Sequence, residues 1–288
     1  MRAYRFGLLV SAWFCCWLAL TPLQAAELDY AGHVEALRAT LPHEGFTIVV
    51  EKPFVVIGDE PPDRVRARAI RTVRWAVQHL KAEYFEHDPD HIIDIWLFKD
   101  RDSYERHAQA LWGRKPHTPY GYYAARQRVM VMNIATGGGT LVHEIVHPFV
   151  AANFLACPAW FNEGLGSLYE QSAERDGRIV GLTNWRLAGL QDAIRDGRTV
   201  PLPQLLATTS DEFYGENSGL HYAMARYLCL YLQEHGKLRD FYHAFATAHP
   251  DDTNGLRTLQ LTLGHDGLES LREFQRRWEA WVLTLRFP

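Results

Sequence analysis

His143-Glu144-Ile145-Val146-His147 is the stretch on which the reading of this chain turns. Two histidines at i and i+4 of a helix project from one face, so their imidazoles can share one ion. Ile145 and Val146 point elsewhere and can seat the helix in a core. Neutral imidazole suits zinc, and a site that leaves one tetrahedral position for water is a catalytic one. Glu144 follows the first histidine and can take a proton from that water. With 14 histidines in 288 residues, a chance match has a probability on the order of a few per cent. A second element is therefore needed.

That element lies downstream, with fifteen residues between His147 and its Glu163. Trp160-Phe161-Asn162-Glu163-Gly164-Leu165-Gly166-Ser167-Leu168-Tyr169-Glu170 begins just after Pro158, a residue suited to the start of a helix. A helix–turn–helix return brings Glu163 back towards the two histidines and completes a His2Glu set with an open fourth position. Together, HEIVH and WFNEGLGSLYE resemble the gluzincin metallopeptidases, the clan that includes thermolysin-like and aminopeptidase N-like enzymes. The second motif resembles the aminopeptidase N-type pattern W-L-N-E-G-F-A-x-Y-x-E at nearly every informative position, and in that family the glutamate matching Glu163 is the third ligand. The resemblance covers roughly residues 125–235 and implies a zincin-like fold, a Zn2+ cofactor and a peptide or protein substrate.

Departures from the family pattern carry expectations of their own. The His147–Glu163 interval is shorter than in aminopeptidase N-type enzymes, so the connecting turn is tighter. Pro148 follows the second histidine, which predicts a kink or a helix end there. The Gly-Ala-Met-Glu-Asn exopeptidase motif is absent, so aminopeptidase specificity does not carry over. Glu170, seven residues after Glu163, is expected on the same helical face, either touching a ligand histidine or as an ordinary exposed carboxylate. Asn162 is assigned no chemistry.

In gluzincins the strand before the zinc helix forms the sheet edge along which an extended peptide pairs. The matching stretch here is Val129-Met130-Val131-Met132-Asn133, joined to the helix through Gly137-Gly138-Gly139. Peptide hydrolysis also needs a donor for the developing oxyanion. Tyr222, in His221-Tyr222-Ala223-Met224-Ala225-Arg226, resembles the tyrosine on the helix that follows the third ligand in many gluzincin-like proteins. Tyr214 and His221 are its rivals.

Outward from these motifs the chain reads as α+β: mixed strands and helices first, then helices only. Phe46 to Ile57 predicts two short strands around Glu51-Lys52-Pro53. Val65, Ala69, Val73 and Val77 recur at fourfold spacing, with Ile70, Trp75 and Leu80 widening the stripe of a long helix. A strand follows at His91 to Phe98, a helix at Asp100 to Trp112, and a strand pair around Arg126-Gln127. Helices are expected at about 140–155, 159–173, 184–195, 216–235, 237–247 and 267–285. Residues 27–136 thus form an α/β part carrying the substrate-edge strand. Residues 137–288 form the zinc-binding helices and a helical C-terminal lobe, with the cleft between the two parts of one peptidase domain.

Residues 1–26 read as a signal peptide. Arg2 and Arg5 precede an apolar run from Phe6 to Leu20, broken at Thr21-Pro22 and followed by small residues at Ala25-Ala26. This predicts a periplasmic or secreted protein, with an uncleaved anchor as the alternative. Beyond it, Cys157 and Cys229 can pair in an oxidising compartment or remain separate buried thiols. A net charge of −4 and a pI near 6.4 give no attraction to nucleic acid. Two other readings accompany the peptidase. One is a binding protein that keeps the fold without turnover, against which the retained Glu144 argues. The other is a zinc hydrolase acting on an ester, epoxide or cell-wall peptide bond.

Overall fold

The computed structural model describes residues 28–264 and 267–287. The segment read as a signal peptide, 1–26, lies outside them. No helix among the described residues is long and apolar enough to cross a membrane.

The fold is α+β around a mixed five-stranded sheet. Strands β1 (Thr47–Glu51) and β2 (Phe54–Gly58) form an antiparallel hairpin. β3 (Ile93–Phe98) and β5 (Val129–Asn133) continue the sheet in parallel, and β4 (Gly121–Ala124) closes it antiparallel to β5. The spatial order is β1-β2-β3-β5-β4. Residues 27–136 of the sequence reading thus contain a sheet edge, but the edge strand is β4. β5, expected at the edge, is interior, because the chain lays the short Gly121–Ala124 strand outside it before returning.

The inner strands are apolar on both faces, as strands covered on both sides must be. Phe54, Val56, Ile95, Leu97, Met130 and Met132 face one hydrophobic core, and their alternates Val55, Ile57, Trp96, Phe98, Val129 and Val131 face another. The second core is closed by Leu37 of α1 (Tyr30–Thr40) and by Tyr104 and Ala108 of α4 (Arg101–Trp112). Asp100 caps the start of α4 by accepting from the Ser103 N–H, and Gly113 ends it at φ 72°. The first core takes in α2 (Pro62–Arg68), a π-helical stretch at Ala69–Arg74, α3 (Trp75–Glu83) and the helices that follow the sheet. Val65, Ala69, Val73, Val77 and Leu80 are buried as their spacing predicts. Ile70 is 46% exposed instead. The wider π turn shifts the register of the buried stripe at this point.

The helical lobe begins with α5 (Gly139–Asn153) and α6 (Ala159–Leu168). α5 does not end at Pro148 but runs through it to Asn153. Phe149 and Val150 beyond the proline are buried. Asn153 fixes the last turn by donating to the Phe149 carbonyl and accepting from the Glu86 and His87 amides. α6 stops at Leu168, short of the expected 173. A two-stranded hairpin, β6 (Ser172–Arg175) and β7 (Arg178–Gly181), follows where helices only were expected, largely in the gap between the helices read at 159–173 and 184–195. Arg226, fully buried, donates to the carbonyls of Ser167, Leu168 and Leu182, so the C-terminal end of α6 finds its partners in a side chain. The remaining elements are α7 (Arg186–Arg195), α8 (Leu202–Leu206), α9 (Ser210–Phe213), α10 (Ser218–Glu234), α11 (Leu238–Ala248), α12 (Leu256–Leu263) and α13 (Gly267–Thr284). Of the lobe's helices, α8, α9 and α12 are too short to carry a readable period; α1, ahead of the sheet, was likewise not anticipated. Cys157 and Cys229 are unbonded thiols, and burial pushes both above the usual thiol range.

Candidate metal centre

α5 and α6 pack against each other and bring the two sequence motifs together. His143, His147 and Glu163 each offer a ligand atom, and these atoms lie within 4.8 Å of one another. Glu163 Oε2 is 3.2 Å from His143 Nε2 and 3.9 Å from His147 Nε2. It is buried and has no hydrogen-bond partner. A buried carboxylate oxygen facing two imidazole nitrogens without a partner is costly on its own and fits a site built for a cation. The donor set, two imidazoles and one carboxylate, is that of a catalytic zinc site. The residues present therefore fit the ion.

His147 is oriented through its other nitrogen, and the matching nitrogen of His143 faces a carboxylate at a longer distance. His147 Nδ1 lies 3.0 Å from Asn162 Oδ1, so the ring donates there and keeps its Nε2 lone pair for a ligand bond. His143 Nδ1 lies 3.5 Å from Glu170 Oε1. Glu170 does not share a helical face with Glu163, since α6 ends at Leu168; it reaches His143 from the turn that follows. Its carboxylate accepts from Arg186 at 2.9 and 3.3 Å and from Asn184 Nδ2 at 2.9 Å. The Arg186 guanidinium lies between two rings, 4.2 Å from the centre of Trp185 and 5.1 Å from that of Tyr222. The role of Asn162 was missed in the sequence. Its place beside Glu163 was the available signal, because neighbouring residues at the start of α6 can serve both α5 histidines.

Two glycines of the motifs make room for this arrangement. A Cβ on Gly166 would lie 3.2 Å from the His143 ring, and one on Gly139 would lie 2.0 Å from the backbone oxygen of Glu170. The second contact ties the first residue of α5 to the turn carrying Glu170.

The charges favour a cation. Burial alone would raise the Glu163 carboxyl, but the neighbouring His143 and His147 imidazoles hold it down at about 2. Glu170 is likewise held at about 2 by His143 and Arg186 against burial. Burial opposes protonation of His143, and Glu163, Glu170 and Glu144 override it, raising the imidazole well above its usual value. Glu144 is pushed up by burial, partly countered by the two histidines. Its Oε2 lies 3.8 Å from His147 Nε2.

His143 and Glu144 open onto a cleft of about 570 Å³ whose other walls include Tyr120, Gly121, Trp185 and Tyr222. Tyr120 and Trp185 are more than half exposed. Among the three oxyanion candidates, Tyr222 borders this cleft. Tyr214 instead donates its hydroxyl to Glu163 Oε1 at 2.6 Å. His221 is buried, with Nδ1 at 3.1 Å from the Phe213 carbonyl. No protein-family model matches the chain, and no curated protein matches it either.

Proposed function

We propose that this chain is a zincin-like, zinc-dependent metallopeptidase that hydrolyses peptide bonds outside the cytoplasm. The observation that carries this reading is the convergence of His143, His147 and Glu163, with His143 and the adjoining Glu144 lining an open cleft. Among the described residues the edge strand β4 pairs only with β5, and Gly121 at its start borders the same cleft. An extended peptide can add to that free edge through backbone hydrogen bonds, which hold a substrate without reading its side chains.

His143, His147 and Glu163 would hold the ion. When bound, zinc supplies a Lewis acid that polarises a carbonyl and lowers the pKa of water towards neutrality. Glu144 then acts as the general base, taking one proton from the attacking water and returning it to the departing amine nitrogen. Burial, which pushes this carboxyl up, makes it a better base than an exposed glutamate. Tyr222, on the cleft wall, donates its hydroxyl to the carbonyl oxygen as negative charge develops there. Asn162 keeps the His147 imidazole turned inward, and Glu170 stands 3.5 Å from the other nitrogen of His143.

The test is a peptide-library digest by wild type and Glu144→Gln, with and without a chelator. Metal-dependent cleavage by wild type, absent from Glu144→Gln, is the expected result. Equal cleavage by both proteins would exclude Glu144 as the base.

A further inference from the structure

We infer that Tyr214 is a positioning residue for the metal site, one that assigns the two oxygens of Glu163 to different tasks. The inference rests on the zinc-site reading above. Oε1 accepts the Tyr214 hydroxyl at 2.6 Å, while Oε2 is buried, lacks a hydrogen-bond partner and faces both imidazole nitrogens. A carboxylate free to rotate can present both oxygens to an ion and fill the position that a catalytic site keeps open. With Oε1 engaged by Tyr214, Oε2 is the single oxygen offered, and the open position is preserved.

The same geometry separates Tyr214 from Tyr222. A tyrosine hydroxyl has one proton to donate, and that of Tyr214 is given to Glu163. Tyr222 lines the cleft, whereas Tyr214 does not border it. Tyr214 is held where α9 ends. There Thr209 and Glu212 form a reciprocal cap, and the Tyr214 ring lies 5.4 Å from the Phe213 ring and 6.2 Å from that of Tyr222. The ring is 49% exposed, so removing the hydroxyl alone leaves no cavity in the core.

The experiment compares zinc affinity, measured by competition with a chromophoric chelator, in wild type, Tyr214→Phe and Tyr222→Phe. Tyr214→Phe should melt like wild type without metal and bind zinc about 10- to 100-fold more weakly, the usual loss for a residue that orients a ligand. Tyr222→Phe should lose less zinc affinity than Tyr214→Phe, because the 2.6 Å bond to Oε1 comes from Tyr214. Excess zinc should refill the Tyr214→Phe site, and it should restore none of the turnover lost in Tyr222→Phe. Wild-type zinc affinity in Tyr214→Phe would overturn the inference. A wild type that binds no zinc would instead overturn the site reading on which it rests.

Discussion

Asn162 Oδ1 and His147 Nδ1 lie 3.0 Å apart, one residue ahead of the carboxylate that completes the metal cluster. Two consecutive residues of α6 thus meet the same His-His-Glu group, one through a carboxylate oxygen and one through a hydrogen bond to an imidazole. Removing such an orienting partner typically weakens metal binding about 10- to 100-fold. Asn162→Ala should show this loss in chelator competition while keeping its fold. Undiminished affinity would reduce the contact to a structural one.

Glu144 should divide chemistry from metal binding. Glu144→Gln keeps the side-chain shape and removes the basic oxygen, so its zinc content should equal that of wild type. Turnover should fall by about 10²–10⁴, the usual contribution of a positioned acid–base group. Loss of zinc in this variant would mean that Glu144 serves as a ligand instead.

Tyr222 is expected to act on the transition state more than on bound substrate. Deleting one such donor costs about 10²–10³ in kcat. Tyr222→Phe should therefore fold, retain zinc, hold KM within about a few-fold and lose most of its kcat. A wild-type kcat would remove Tyr222 from the mechanism.

The legible parts of this protein are those in which local spacing carries the information. His143 and His147 share a helix face by the pitch of the helix alone, and Pro158 marks the start of the helix that returns Glu163. The β2, β3 and β5 strands read as apolar runs because both faces are covered. What stayed hidden depends on tertiary contacts. α6 was read as running to 173, since Leu168-Tyr169 continues an apolar pattern. The chain leaves the helix there because the buried Arg226, far away in sequence, supplies donors to its last carbonyls. The edge strand was misplaced because strand order is not written in hydropathy: β5 is more apolar than β4, and that follows from its interior position. Sequence preferred Tyr222 over Tyr214 by position alone; the hydrogen bond from Tyr214 to Glu163 and the place of Tyr222 on the cleft wall are visible only in the structure.

Two glycines should respond to alanine with opposite signs. In Gly139→Ala the new methyl meets the Glu170 backbone oxygen at 2.0 Å, a contact that neither chain segment can relieve by a side-chain rotation. Overpacking of this kind costs about 1–3 kcal/mol, and it also displaces the turn that carries Glu170 to His143. Gly189, exposed in the middle of α7, has nothing within 4 Å of an added Cβ. Gly189→Ala should raise stability by roughly 0.4–1 kcal/mol. Denaturant midpoints of the two variants and wild type check both signs; a neutral Gly139→Ala would contradict the close approach of α5 to Glu170.

The central claim is that His143, His147 and Glu163 form one zinc site. It is tested most directly by the metal content of the purified protein, measured by elemental analysis after equilibration with zinc and removal of excess, in wild type and in His143→Ala. The account predicts about one zinc per chain in wild type, as for a single His2Glu site, and loss of most of it in His143→Ala. A full complement of zinc in His143→Ala would contradict it.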